Sequence, residues 1–377
     1  MTRSSRCSLF NHLHWALAVA CSLCALTPAL AHEAQTSAQS NPEAAFEVPE
    51  AEAQFSELPI DALLARAEPA SPVPDRPSVD VPSIPVPADN GYWIVSTESS
   101  PQSFDETLPR FCAQVTRYED GSGLRKSSLQ ELTSSLNPGL PICIMVHGSL
   151  VDSPSVLPES QRTWKWLRHG AADRPFHMIY FRWPSYRILS PLVNIDFAVL
   201  GRRASRNGFY LAGLIQSLPA ESPVALLGHS HGTRVISSAL HLMAGGSVEN
   251  IACQQLHSRH PRIRAVFTAS AIDHDWLNPG ERFGRALCST ECLLNLKNAH
   301  DPALLIYPLR RIASRRALGN TGFTASDRKA LGSFSSKVRD IDVSDVIGCR
   351  HIWPAYVNQP RLVHQASPWL FPTSRTP

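Results

Sequence analysis

The chain carries little net charge. Thirty-five lysines and arginines stand against 32 aspartates and glutamates, a formal +3 over 377 residues. Arg3 and Arg6 sit in a leader that is expected to be removed, so the remainder lies closer still to neutrality. Such a balance leaves no electrostatic footprint for nucleic acid. Only one apolar run approaches the length of a membrane span, which excludes a polytopic membrane protein. There is no internal repeat, and no tight cluster of paired Cys or His that would suit a zinc site. Proline, in contrast, is plentiful at 31 residues and unevenly placed. The chain is 43% hydrophobic, enough for a substantial core.

Residues 1–31 read as a secretory signal peptide. Arg3 and Arg6 give a positive start, Trp15 to Leu26 is apolar, and Thr27-Pro28 breaks the run before Ala29-Leu30-Ala31, a small-x-small cleavage site. An uncleaved anchor and lipid attachment at Cys21 are the alternatives. Each route takes the chain out of the cytosol, to an extracellular, periplasmic or cell-envelope location. Residues 32–88 are expected to be a linker, with eight prolines from Pro59 to Pro87 favouring an extended spacer. A folded domain is expected over 89–365, followed by a tail over 366–377. Six cysteines remain after the leader: Cys112, Cys143, Cys253, Cys288, Cys292 and Cys349. An oxidising destination permits pairing, so a disulfide bond is expected. Cys288 and Cys292 are candidates for a local bridge, whereas Cys143 in an apolar run also suits a core thiol.

The domain alternates strand and helix patterns. Gly91 to Thr97 is an expected edge strand. Ile142–Val146, His177–Phe181, Val224–Leu227, Ile263–Thr268 and Leu304–Leu309 are short apolar runs bounded by turn residues. Helical periodicity falls at Arg162–His169, Arg202–Leu218, Thr233–Met243 and Ala303–Arg316. Continuous apolar strands between helices predict a mostly parallel central sheet covered on both faces, an α/β class.

One motif carries chemistry. Val224-Ala-Leu-Leu227 runs into Gly228-His229-Ser230-His231-Gly232 and then a helical pattern. In G-x-S-x-G, a sharp strand-to-helix turn holds Ser at strained dihedrals with its hydroxyl accessible, and the glycines prevent clashes. The helix start adds positive potential for an oxyanion. Upstream, Ile142–Val146 leads into His147-Gly148-Ser149, a loop suited to supply a second oxyanion N–H near Ser149, to join that of His231. His147 itself reads as structural.

These pieces, with Phe181-Arg-Trp-Pro-Ser185, Ala269-Ser-Ala-Ile-Asp273, Asn298-Ala-His-Asp-Pro-Ala-Leu304 and Asp342-Val-Ser344, resemble an α/β-hydrolase. They are similar in particular to a branch of that superfamily known only as hydrolases of unknown function, over about residues 91 to 360. Position 231 departs from that branch's usual apolar residue. The resemblance implies a Ser nucleophile, then an acid, then a His in chain order. The acid lies either at Asp301 or in the Ala-Ile-Asp-His-Asp turn, at Asp273 or Asp275. The resemblance places it at Asp301, which Pro302 would also make a helix N-cap. It places the base at His351, on a late loop after a Val/Ile-rich alternation. Asp273 and Asp275 are otherwise expected at the pocket edge.

The reaction so implied is hydrolysis of a small-molecule or lipid carboxylic ester through an acyl-enzyme, with no metal or organic cofactor. Acyl transfer to an envelope acceptor is one alternative, and a non-catalytic tethered scaffold another. Basic spots at Arg202-Arg203, Arg310-Arg311 and Arg315-Arg316 admit peripheral association with a membrane or envelope.

Overall fold

The computed structural model describes residues 57–59, 90–102, 110–186, 193–252, 262–310 and 314–371. The leader lies outside the described residues. So does the linker segment apart from Glu57–Pro59, which pairs antiparallel with Arg110–Cys112.

Period-two alternation of side chains explains the layers. The sheet's strands, in chain order, are β1 (Gly91–Ser96), β2 (Gln114–Glu119), β3 (Gly123–Ser127), β4 (Ile142–Val146), β5 (His177–Arg182), β6 (Val224–His229), β7 (Ile263–Thr268), β8 (Cys292–Lys297) and β9 (Val338–Asp342). Ile142, Ile144 and Val146 of β4 pack on one face with Ile179, Phe181, Leu226, Ala265 and Phe267. Cys143 and Met145 pack on the other with Met178, Tyr180, Leu227 and Val266. Both faces are buried, which is why these strands read as unbroken apolar runs. The first face is covered by α2 (Val193–Ser217) and α3 (Gly232–Met243), through residues such as Phe209, Leu211, Val235 and Ile236. The second is covered by α1 (Ser153–Ala171) and α5 (Pro360–Leu370), through Trp164, Leu167, Val363 and Leu370.

The sheet order is β9-β8-β7-β6-β4-β5-β1-β2-β3. The seven strands from β9 to β1 run parallel, and β2 and β3 add an antiparallel hairpin. The mostly parallel sheet expected from sequence is therefore present, with helices on both faces. Gly91–Ser96 is not an edge strand, however. The β2–β3 hairpin lies outside it, and all six of its residues are buried.

The expected helix Ala303–Arg316 is also corrected. Only α4 (Pro302–Leu305) is α-helical; a 3-10 turn follows at Tyr307–Arg310, and neither part is a strand. Arg310 turns inward onto Asp273, and Ala317 forms a β-bridge with Asp273, so the chain folds back instead of continuing the helix. Residues 311–313 lie outside the described set. At the other end, the boundary drawn after residue 365 falls inside α5, and Phe371 packs on Phe176 with ring centroids 4.8 Å apart.

The expected disulfide is not found: among the described residues no cysteine is bridged to another. Cys288 is exposed at the end of a 3-10 turn whose Ala286 and Leu287 are buried, while Cys292 is already the first residue of β8, in register with Arg264. Cys143 is sealed in the sheet, where burial drives its thiol pKa upward and keeps it protonated. Cys253 lies outside the described residues.

Candidate active site

Val146 of β4 and Gly228 of β6 are register partners, so the loops leaving these two strands begin as neighbours. Chain order reverses here, because β5 lies on the far side of β4. In open α/β sheets such a reversal leaves a crevice beyond the strand ends. His147-Gly148-Ser149 enters it from β4 and Ser230-His231-Gly232 from β6.

Ser230 has φ +51°, a left-handed backbone rare for a residue with a side chain. Holding it there costs about 1–3 kcal/mol. Its amide donates to the carbonyl of Thr268 at 3.0 Å, and its carbonyl accepts from the Thr233 hydroxyl at 2.6 Å. Two glycines let the parts close up. A Cβ on Gly232 would run into the Val146 carbonyl oxygen, and one on Gly148 would lie 2.7 Å from Nδ1 of His229.

The side chains of Ser230, His351 and Asp301 form a continuous relay. The carboxylate Oδ2 of Asp301 accepts from Nδ1 of His351 at 2.7 Å. That leaves Nε2 of His351 to accept from the Ser230 hydroxyl at 3.0 Å. Asp301 is wholly buried, and its other oxygen caps α4 by accepting from the amides of Ala303 and Leu304 at 3.0 and 3.2 Å. Helix cap and imidazole partner are therefore separate oxygens of one side chain. His351 follows a short helix, Ser344–Ile347, and Gly348. Asn298, also buried, donates through Nδ2 to the carbonyls of Gly348 at 2.8 Å and Arg350 at 3.3 Å, tying the base loop to the turn that holds Asp301.

His231 follows Ser230 directly, and the Ser149 hydroxyl reaches Nδ1 of His231 at 2.6 Å. Among the described residues neither residue's backbone N–H has a hydrogen-bond acceptor. His147 is built in as scaffold. Its Nδ1 donates to the Gly148 carbonyl at 2.8 Å and its Nε2 accepts from the Trp183 amide at 3.1 Å. Burial holds its pKa down at about 4, so it stays neutral.

Sequence reasoning assigned His231 only a role for its backbone N–H and assigned His229 none, yet the side chains of both make contacts that the motif did not reveal. Nε2 of His229 donates to the His351 carbonyl at 2.7 Å. Nδ1 of His231 shares a 2.6 Å hydrogen bond with the Ser149 hydroxyl. The one available signal was the departure from an apolar residue at 231.

Asp273 is placed elsewhere. It pairs with Arg310 and accepts from the Arg315 amide at 3.3 Å, and Asp275 lies 3.4 Å from the Arg315 guanidinium. His274 donates through Nδ1 to Asp327 at 2.8 Å. The His229-x-His231 and Asp273-His-Asp275 patterns thus point to different partners. Among the described residues no group of three or more His, Cys, Asp or Glu is arranged to hold a metal, and no helix is long and apolar enough to cross a membrane.

A mostly parallel sheet with helices on both faces, carrying a serine at positive φ on a strand-to-helix turn, is consistent with the α/β-hydrolase fold. Among solved structures, the chain is similar to an acetylxylan esterase at 13% identity and a TM-score of 0.32, covering 62% of this chain and 96% of that one. It is similar to esterase B from Lactobacillus rhamnosis, inhibited by a tributyrin phosphonate, at 10% identity and 0.33, covering 75% and 87%. It is also similar to the catalytic core domain of acetyl xylan esterase from Trichoderma reesei, at 13% identity and 0.29, covering 61% and 92%. No protein-family model matches the chain, and no curated protein matches it.

Proposed function

We propose that the chain is an exported serine hydrolase that cleaves carboxylic esters through an acyl-enzyme. The relay Ser230–His351–Asp301 carries this reading, because it joins a hydroxyl to an imidazole and the imidazole to a buried carboxylate in the order the chemistry requires. Ser230 Oγ attacks the ester carbonyl carbon while Nε2 of His351 takes its proton. Asp301 holds the Nδ1–H tautomer and offsets the imidazolium charge. The amides of Ser149 and His231 receive the oxyanion. His351 then protonates the departing alkoxide, and a water, deprotonated by the same imidazole, releases the acid.

The leader over 1–31 and the proline-rich segment over 32–88 support export and display at an envelope or beyond it, with the basic spots admitting peripheral contact. Fluorophosphonate labelling with peptide mapping tests the reading. An adduct on Ser230, absent in Ser230→Ala, is expected. A folded, unlabelled chain would turn attention to the scaffold reading.

A further inference from the structure

We infer that the two histidines flanking Ser230 are positioning residues, each registering the nucleophile turn to another working part: His229 to the base loop at His351, and His231 to the oxyanion loop at Ser149. The inference rests on the roles proposed above for Ser230, His351 and the two amides.

Consider what must be held. Ser230, His351 and Ser149 come from three loops that are far apart in sequence, and no disulfide ties those loops among the described residues. A proton transfer between Oγ and Nε2 tolerates little slack, since a displacement of 1 Å can cost about 100-fold in rate. His229 sits one residue before the nucleophile, at the end of β6. Its target, the His351 carbonyl, can only accept, so Nε2 carries the proton and the tautomer is fixed. The ring is packed among His351, Trp353 and Tyr356 at centroid distances of 5.3, 5.7 and 5.9 Å. Asn298 grips the same loop from the acid's side at the Gly348 and Arg350 carbonyls. The base loop is therefore fastened at three carbonyls, from the nucleophile strand and from the acid turn.

His231 makes the corresponding tie on the other side. Its side chain bonds the Ser149 hydroxyl, so the two residues proposed to supply the oxyanion amides are joined to each other. An apolar residue at 231 would keep the amide and lose the tie. Both rings are buried and held to a pKa of about 3, His229 by desolvation and then His351, His231 by desolvation and then Arg234 and Arg310. Each stays neutral at working pH, so neither tie titrates away.

The test measures kcat and KM on p-nitrophenyl butyrate, with fluorophosphonate labelling rates and Tm, for the full chain and its variants. His229→Gln keeps an N–H within reach of the carbonyl, whereas His229→Asn is one methylene short and equally polar. The Asn variant is expected to lose about 100-fold in kcat with KM nearly unchanged, and the Gln variant to recover at least tenfold of that. His231→Met and Ser149→Ala are each expected to lower kcat about tenfold, and the double variant to be no worse than either alone. Wild type that labels and turns over while Asn and Gln behave alike, or a double variant that multiplies the singles, overturns the inference. Wild type that neither labels nor turns over sinks the hydrolase reading itself, and the positioning roles with it.

Discussion

Asp273 and Asp301 follow neighbouring parallel strands, β7 and β8, and are equally closed off from solvent, at 1% and 0% exposure. Their surroundings differ in kind. Asp273 faces the Arg310 guanidinium and the Arg315 amide; Asp301 faces the His351 imidazole and the first amides of α4. A guanidinium is permanently charged and holds its proton, whereas an imidazole can take one and return it near neutral pH. Burial and strand position alone do not separate the two carboxylates. The partner does, and the proposed mechanism needs the one that faces an imidazole.

The comparison breaks most visibly at Asp301. Asp301→Asn should keep the α4 cap oxygen but present the wrong partner to Nδ1 of His351, lowering kcat on p-nitrophenyl butyrate by about 10⁴-fold with little loss of Tm. Asp273→Asn should show the opposite signature. Its kcat should stay within about tenfold of wild type, while urea unfolding reports a loss of roughly 3 kcal/mol, because Arg310, its side chain only 11% exposed, is left without its anion. If the two variants exchange signatures, the assignment of the acid is reversed. A smaller effect sharpens the point. Replacing both partners, Asp273→Asn with Arg310→Met, should recover on the order of 1–2 kcal/mol of that stability, since no lone charge remains inside.

Some of this was legible in the residues. The strands Ile142–Val146 and Ile263–Thr268 match their apolar runs residue for residue, because both faces of the sheet are covered. The turn at Ser230 was readable from its glycines, whose places are dictated by close backbone contact. What escaped notice has physical causes. Strand β8 carries Asn295 at its centre, which broke the apolar run. Its side-chain amide donates to the Leu318 carbonyl at 3.1 Å and to Asp340 at 2.8 Å, partners that come from later in the chain. The β2–β3 hairpin was hidden by a polar, partly exposed pattern, and so Gly91–Ser96 passed for an edge. Helical spacing after Asp301 is interrupted by Pro308, which has no amide to continue the ladder, and Arg310 beyond it turns to Asp273. The ties made by His229 and His231 are long-range as well: each joins residues 82 or more positions apart.

A half-buried carboxyl extends the comparison to a partner that carries no charge. Glu159 of α1 accepts from the Tyr180 hydroxyl at 2.7 Å, on the sheet face opposite α3. Burial pushes its pKa up to about 7, against the opposing pull of that hydroxyl and of Arg162. An unfolded glutamate titrates near 4.3, so the folded state holds the proton more tightly between these values. The contribution of Glu159 to stability is therefore fullest below about pH 4 and declines as pH rises to about 7, then levels. Glu159→Gln mimics the protonated form at every pH. Unfolding free energies measured at pH 5, 6, 7 and 8 should show the variant gaining on wild type across that range by on the order of 2 kcal/mol, with turnover changed less than about twofold. A gap that stays flat with pH would mean that Glu159 is ionised in the fold at low pH. A phenol would then hold a half-buried carboxylate much as a guanidinium does, and the partner rule drawn from Asp273 and Asp301 would need water or another donor at Glu159.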